Sequence, residues 1–183
     1  MAHRIYGHSI AYTRACIHYG IHLPFGWQKQ SYAMTPDGGL WFRQAMYGND
    51  FSSANVLLQD RHVFIHEMGH VWQHQHGQWV RLRGAFSWAA EYTYQPNKKS
   101  LTDYSLEQQA SIWADFWLLQ VYGIDTWRYH QQAGRIGKYR GNDDSQKILG
   151  LYQRIIDNSQ HGRHQVLHHC RGYTALHGLS WAG

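Results

Sequence analysis

The five residues His66-Glu67-Met68-Gly69-His70 are where this chain is equipped to do chemistry. Their pattern is H-E-x-x-H. On a helix, residues four apart lie about 6 Å along the axis and about 40° around it. His66 and His70 therefore aim their imidazoles at one spot and can hold one Zn²⁺. Glu67, beside the first ligand, can reach a metal-bound water and take its proton, the metal bringing that water's pKa toward ~7. With 15 His but only the glutamates Glu67, Glu91 and Glu107, shuffling the composition yields the pattern in roughly one chain in fifty. Phe64, Met68, Val71 and Trp72 supply an apolar face at i, i+4, i+7 and i+8. Asp60 or Ser53 offers a cap and Gly77 a stop. The competing reading is an ordinary helix with surface histidines.

A catalytic zinc takes three protein ligands and leaves a position for water. His76 falls where the third histidine of H-E-x-x-H-x-x-G-x-x-H would sit, but the residue needed as Gly for the chain to turn back is Gln73. If the helix continues, His76 lies about 9 Å beyond His70 and cannot share the ion. Glu107 is better placed. It falls in the first turn of a new helix, and Ala110, three residues on, is small enough to let two helices approach closely. Its carboxylate completes a His₂Glu set suited to hydrolysis, although a Glu there also suits the helix dipole. Glu91 and Asp115 are the remaining candidates; Asp115 is two turns from Glu107, so only one of those two should bind. His164 and His168 are four apart with no Glu after the first and read as a polar tail, and His74 as a polar neighbour. An oxyanion donor could come from Tyr92, Tyr94, Tyr104 or one of several His, which the sequence does not rank.

The elements that must hold these groups follow from periodicity and turn chemistry. Residues Ser9 to His18 predict a short helix ended by Gly20, with a loop at Pro24. Tyr32-Ala33-Met34 and Leu40-Trp41-Phe42 flank Thr35-Pro36-Asp37-Gly38-Gly39 and predict a hairpin, a place where a peptide could add as a strand. Trp79 to Ala90 is ambiguous between helix and strand, Tyr92-Thr93-Tyr94 is strand-like, and Pro96 to Lys99 a turn. Ser105 with Gln108 makes a capping box for a helix whose face runs through Leu106, Ala110, Trp113, Ala114, Trp117, Leu118 and Val121 to Gly123. A third helix is predicted from Asn142 or Asp143 to Asn158, with Ile148, Leu149, Tyr152, Ile155 and Ile156 inward. From Gln160 onward the chain is rich in His and Gly.

The run His66-Glu67-Met68-Gly69-His70-Val71-Trp72-Gln73, followed by Asp103-Tyr104-Ser105-Leu106-Glu107-Gln108-Gln109-Ala110, resembles the gluzincin branch of zinc metallopeptidases. More narrowly, it is similar to the metallopeptidase domain at the C-terminus of some VgrG spike proteins of bacterial type VI secretion. The likeness covers about residues 55 to 120. It implies a zincin-like α+β fold, helix-rich with a small sheet or hairpin next to the active-site helix, with zinc as cofactor. It also implies an antibacterial or anti-host toxin delivered with the spike to the target-cell periplasm. Carried over by position, His66, His70 and Glu107 are the metal ligands and Glu67 the catalytic base. The chain departs from the pattern at Ser111, where many gluzincins carry an Asp that orients a ligating His.

With 183 residues, 43% of them hydrophobic, the chain suits one domain over 1–183, expected to be a fragment of, or cargo for, a larger secreted protein. The net charge of +5 is spread over single and paired basic residues, such as Lys98-Lys99, so no nucleic-acid stripe is expected. No apolar run approaches the ~18 residues that span a membrane. Met1 to His8 lacks a signal-peptide core, which leaves a cytosolic protein, export by another route, or a fragment. Cys16 and Cys170 form either one disulfide or two thiols. The expected activity is zinc-dependent endopeptidase, with a protein or peptide substrate, a VgrG spike and an immunity protein as partners. The alternatives are a zinc-dependent peptidoglycan amide hydrolase and a non-catalytic cargo or docking module of a secretion spike.

Overall fold

The computed structural model describes residues 1–20, 33–35, 37–43, 46–78, 92–137, 139–141 and 147–161. The expectations for Pro24, Tyr32, Pro36, Trp79 to Ala90, Glu91, Asn142, Asp143, His164, His168 and Cys170 lie outside them. Helices α1 (His3–Tyr6), α2 (Leu58–Gln75), α3 (Leu106–Gln132) and α4 (Ile148–His161) surround one apolar core, with strands β1 (Ile17–Tyr19) and β2 (Leu40–Phe42) beside α2. This is the expected α+β class, helix-rich with a small sheet. Among the described residues, no helix is long and apolar enough to cross a membrane.

The sheet is read most easily from β2, where Leu40 and Phe42 are buried and Trp41 faces the other way. This is the period-2 alternation of a strand with one face on the core. On one side β2 pairs in parallel with β1, Ile17 opposite Leu40 and Tyr19 opposite Phe42. On the other it meets Met34 in an antiparallel bridge, Met34 N–H to Trp41 O at 3.1 Å and Trp41 N–H to Met34 O at 2.8 Å. The bridge sits where the predicted hairpin arms meet. Phe42, Phe51 and Phe64 then pack ring on ring, with Phe51 and Phe64 stacked at 4.6 Å, and fasten this corner to α2.

The predicted helix from Ser9 to His18 is absent. A 3-10 turn at Tyr12–Arg14 is followed by β1, because Ile17 and Tyr19 are strand formers and β2 offers them a ladder. Helix α2 ends as expected. Gly77 takes φ 74°, its N–H donates to His74 O at 3.1 Å, and Gln78 N–H donates to Gln73 O at 2.9 Å, the double bond of a Schellman end. Its start differs, since Leu57 occupies the N-cap position with no side-chain cap. Arg61 braces this end instead, donating to Val56 O at 3.2 Å, Ser53 O at 2.7 Å and the Tyr122 hydroxyl at 2.8 Å.

Helix α3 opens on the predicted capping box of Ser105 and Gln108. It does not stop at Gly123, which takes φ 81° and kinks the helix. Beyond the kink Trp127 and His130 are still buried and carry it to Gln132. Nor does α3 present only one apolar face: every residue from Gln109 to Leu119 is buried, so polar members such as Gln109 and Asp115 must be satisfied inside the protein. In α4, Ile148, Tyr152, Ile155 and Ile156 are buried as predicted, while Leu149 is 40% exposed. Of the predicted strand at Tyr92 to Tyr94, one bridge forms, from Tyr94 to Tyr139.

Candidate metal centre

The site exists because α2 and α3 touch almost backbone to backbone. A Cβ on Gly69, inside the H-E-x-x-H run, would fall 3.0 Å from Ala110 Cα and 3.1 Å from its Cβ. Only a side-chain-free residue facing a small one allows this approach. Glu107, one turn before Ala110, is thereby carried across to the histidines. Tyr6 reinforces the seam, donating its hydroxyl to Ile65 O at 2.7 Å while its ring packs on Trp113 at 4.6 Å.

His66, His70 and Glu107 converge, each offering one ligand atom, and these atoms all lie within 4.8 Å of one another. Glu107 Oε2 is 3.1 Å from His66 Nε2 and 3.3 Å from His70 Nε2. Ligands about 2.0–2.1 Å from a tetrahedral zinc stand about 3.3 Å apart, so both distances fit an ion of that kind between them. The imidazoles lie nearly perpendicular, at 82°, and can point at one centre without stacking. Electrostatics agree with a site built for a cation. Burial pushes the His70 imidazolium down, but the Glu107 carboxylate, with smaller contributions from Glu67 and Gln73, overrides it and raises His70 to about 9. Burial would likewise raise Glu107, yet His70 and His66 hold it well below the usual carboxylate range.

Glu67 is 6% exposed, on the same turn of α2 as the ligands. Thr35 donates its hydroxyl to Glu67 Oε2 at 2.7 Å. One carboxylate oxygen is thus fixed by the segment that leads into the predicted turn. The other candidates fall elsewhere. His76 bonds Trp72 O at 2.7 Å and stacks on the Trp72 ring, as the uninterrupted helix requires. His74 is exposed. Asp115 meets His62 Nε2 at 2.8 Å and also accepts from Tyr94 and, at 3.1 Å, from Gln131. Of the three tyrosines, Tyr94 is tied to Asp115 and Tyr152, and the Tyr104 hydroxyl accepts from Lys98 N–H at 2.9 Å. Tyr92 alone lies beside the pair, its ring 6.1 Å from that of His66. Ser111 is buried, and Cys16 is exposed.

Sequence reasoning missed Thr35, Gln73 and His62. His62 carried a signal: it continues the stripe of His66, His70 and His74 one turn backward, at i−4. Thr35 had none, since it acts across a contact between separate segments; Gln73 stands three residues from His70, a spacing at which helix side chains meet, but its ties to α3 are non-local.

No protein-family model matches the chain. The chain is similar to the type VI secretion system spike protein VgrG2b of Pseudomonas aeruginosa, 38% identical over 127 residues, which are 64% of this chain and 12% of that protein. It is also similar to the solved effector domain of Pseudomonas aeruginosa VgrG2b. That likeness has 34% identity and a TM-score of 0.57, and covers 76% of this chain and 78% of that one.

Proposed function

The chain belongs to the family of the VgrG2b effector domain, and on that premise we propose that it is a type VI secretion effector acting as a zinc-dependent endopeptidase of zincin-like fold. The observation that supports this most is the meeting of His66 Nε2, His70 Nε2 and Glu107 Oε2 with near-tetrahedral spacing, next to a buried Glu67. These three residues would hold the ion. Zinc, when bound, supplies a Lewis acid that polarises a carbonyl and makes water acidic near neutral pH. Glu67 takes the proton of the attacking water and delivers it to the leaving amine nitrogen. Thr35, by bonding Oε2, keeps the other oxygen turned to that task. The chain would travel with a VgrG spike, act on a protein or peptide in the target-cell periplasm, and be neutralised in the producing cell by an immunity protein.

The test is a pair of measurements on purified protein. Zinc analysis of the untreated chain should give about one ion per chain. Glu67→Gln should keep that ion while losing cleavage of a protein substrate such as casein. A zinc-free parent overturns the metal assignment, and a fully active Glu67→Gln overturns the base. Digestion of purified sacculi by the parent, with casein untouched, would move the cleaved bond to the peptidoglycan amide.

A further inference from the structure

Gln73 occupies the position that H-E-x-x-H-x-x-G-x-x-H gives to glycine. In the structure Gln73 is fully buried, and His70 Nδ1 lies 2.8 Å from its side-chain oxygen. The amide nitrogen of Gln73 donates to Leu106 O at 2.7 Å and to Gln109 Oε1 at 3.3 Å, and Gln109 in turn donates to Tyr104 O at 2.8 Å. The direction of this chain is forced. Leu106 and Tyr104 present backbone carbonyls, which only accept, so both amides must turn their nitrogens to them. The Gln73 oxygen is then left facing His70, and only a proton on Nδ1 satisfies it. From these contacts we infer that Gln73 is a positioning residue for the metal. It fixes His70 as the tautomer with Nδ1–H and the Nε2 lone pair free, and locks the ring toward Glu107.

The inference rests on the zinc reading above and deepens it. The gluzincin pattern uses a carboxylate to orient a ligand; here a neutral amide, anchored on the first turn of α3, does this for His70. The same anchor couples the ligand from α2 to the helix that supplies Glu107, since Leu106 is the neighbour of that residue. A carboxylate at position 73 would still accept from Nδ1–H, whereas an apolar side chain of the same length would not. Partners of this kind typically contribute 10–100-fold to metal affinity.

The experiment titrates Zn²⁺ against a chromophoric chelator for the full chain and for Gln73→Met and Gln73→Glu. Folding is checked by circular dichroism of the metal-free proteins. Nitrogen-15 spectra of the zinc-loaded parent should show His70 bound through Nε2 with a slowly exchanging Nδ1–H. Gln73→Met should bind zinc 10–100-fold more weakly, and Gln73→Glu should stay within a few-fold of the parent. A folded Gln73→Met that binds as tightly as the parent overturns the inference. So does a Gln73→Glu as weak as Gln73→Met, which would make the residue only a strut to Leu106. If Gln73→Met does not fold, the Gln73→Glu titration and the Nδ1–H signal decide alone. A parent that binds no zinc refutes the parent reading instead, a distinct result.

Discussion

Helices α2 and α3 build two histidine–carboxylate clusters from the same residue types, and they serve opposite ends. At one, His62 donates from Nε2 to Asp115 Oδ1 at 2.8 Å. Tyr94 and Gln131 donate to Oδ2, and Tyr152 bonds the Tyr94 hydroxyl. That carboxylate is wholly buried and fully supplied with protons. At the other, Glu107 is 16% exposed and a single oxygen faces two Nε2 atoms. The rings are used in opposite senses as well: His62 spends its Nε2–H on Asp115, while His70 directs Nδ1 to Gln73 and leaves Nε2 as the nitrogen an ion would take. A carboxylate saturated by fixed donors is a strut that joins α2, α3 and α4. One faced by nitrogens that can lend lone pairs is placed to share an ion with them.

The comparison breaks most sharply on a pair of substitutions. Glu107→Ala should abolish stoichiometric zinc, and with it activity, while the protein stays folded. Asp115→Ala should do the reverse. Stranding a buried donor costs about 1–3 kcal/mol, and Asp115 accepts from His62, Tyr94 and Gln131, so denaturant unfolding should shift strongly while zinc content at low temperature is kept. If Asp115→Ala lost its zinc without losing stability, the division into strut and ligand would fail. A smaller effect is expected at the seam that makes both clusters possible. Gly69→Ala places a methyl 3.0 Å from Ala110 Cα. Overpacking of this kind costs about 1–3 kcal/mol, less the roughly 1 kcal/mol that Ala gains over Gly inside a helix. The helices should part slightly, and zinc affinity should fall although no ligand has changed; unchanged affinity would show that the close approach is dispensable.

The cluster of His70 and Glu107 can also be tested through pH. In metal-free protein His70 keeps its proton up to about 9, against an ordinary 6.5. A raised folded pKa stabilises fully below 6.5, and the gain is lost as the pH rises through about 9. Glu107, ordinarily near 4.5 and held lower in the fold, adds stability above that value that is lost as the pH falls. Chelator-treated protein should therefore lose Tm steadily from pH 7 to 9. Zinc takes the proton's place, so the loaded protein should not show that decline. Parallel curves for the two forms would mean that the ion binds elsewhere.

Much of this was legible in the chain. The spacing of His66 and His70 and the capping box at Ser105 are local, periodic signals, and they place two of the three side chains that converge and the helix carrying the third. The small Ala110 points to the close approach, while its partner Gly69 fills a position that the motif leaves variable. What stayed hidden is non-local. Gln73 reaches across to α3, Thr35 arrives from a separate segment, and an amide or hydroxyl at a helix contact leaves no periodic trace. Ser9 to His18 misled because its short apolar spacing suits a helix until a neighbouring strand offers a ladder, and Leu149 because one residue on a helix is a rotation of about 100°.

The smallest effect asked for lies at the start of α3. Ser105 Oγ accepts from Gln108 N–H at 3.4 Å, and Gln108 Oε1 returns a bond to Ser105 N–H at 3.2 Å. Ser105→Ala should cost about 1 kcal/mol of stability. Whether it also costs zinc separates two ways of holding Glu107, which sits two residues after the cap. If the cap sets the first turn, affinity falls with it. If the cross-helix ties set it, Gln73 to Leu106 at 2.7 Å and Gly69 against Ala110, the ligand stays in place while the helix end frays. The second outcome is expected, because those ties grip the residues on either side of Glu107 whatever the cap does. Zinc titration of Ser105→Ala should match the parent within about twofold, and a tenfold loss would transfer the positioning role to the cap.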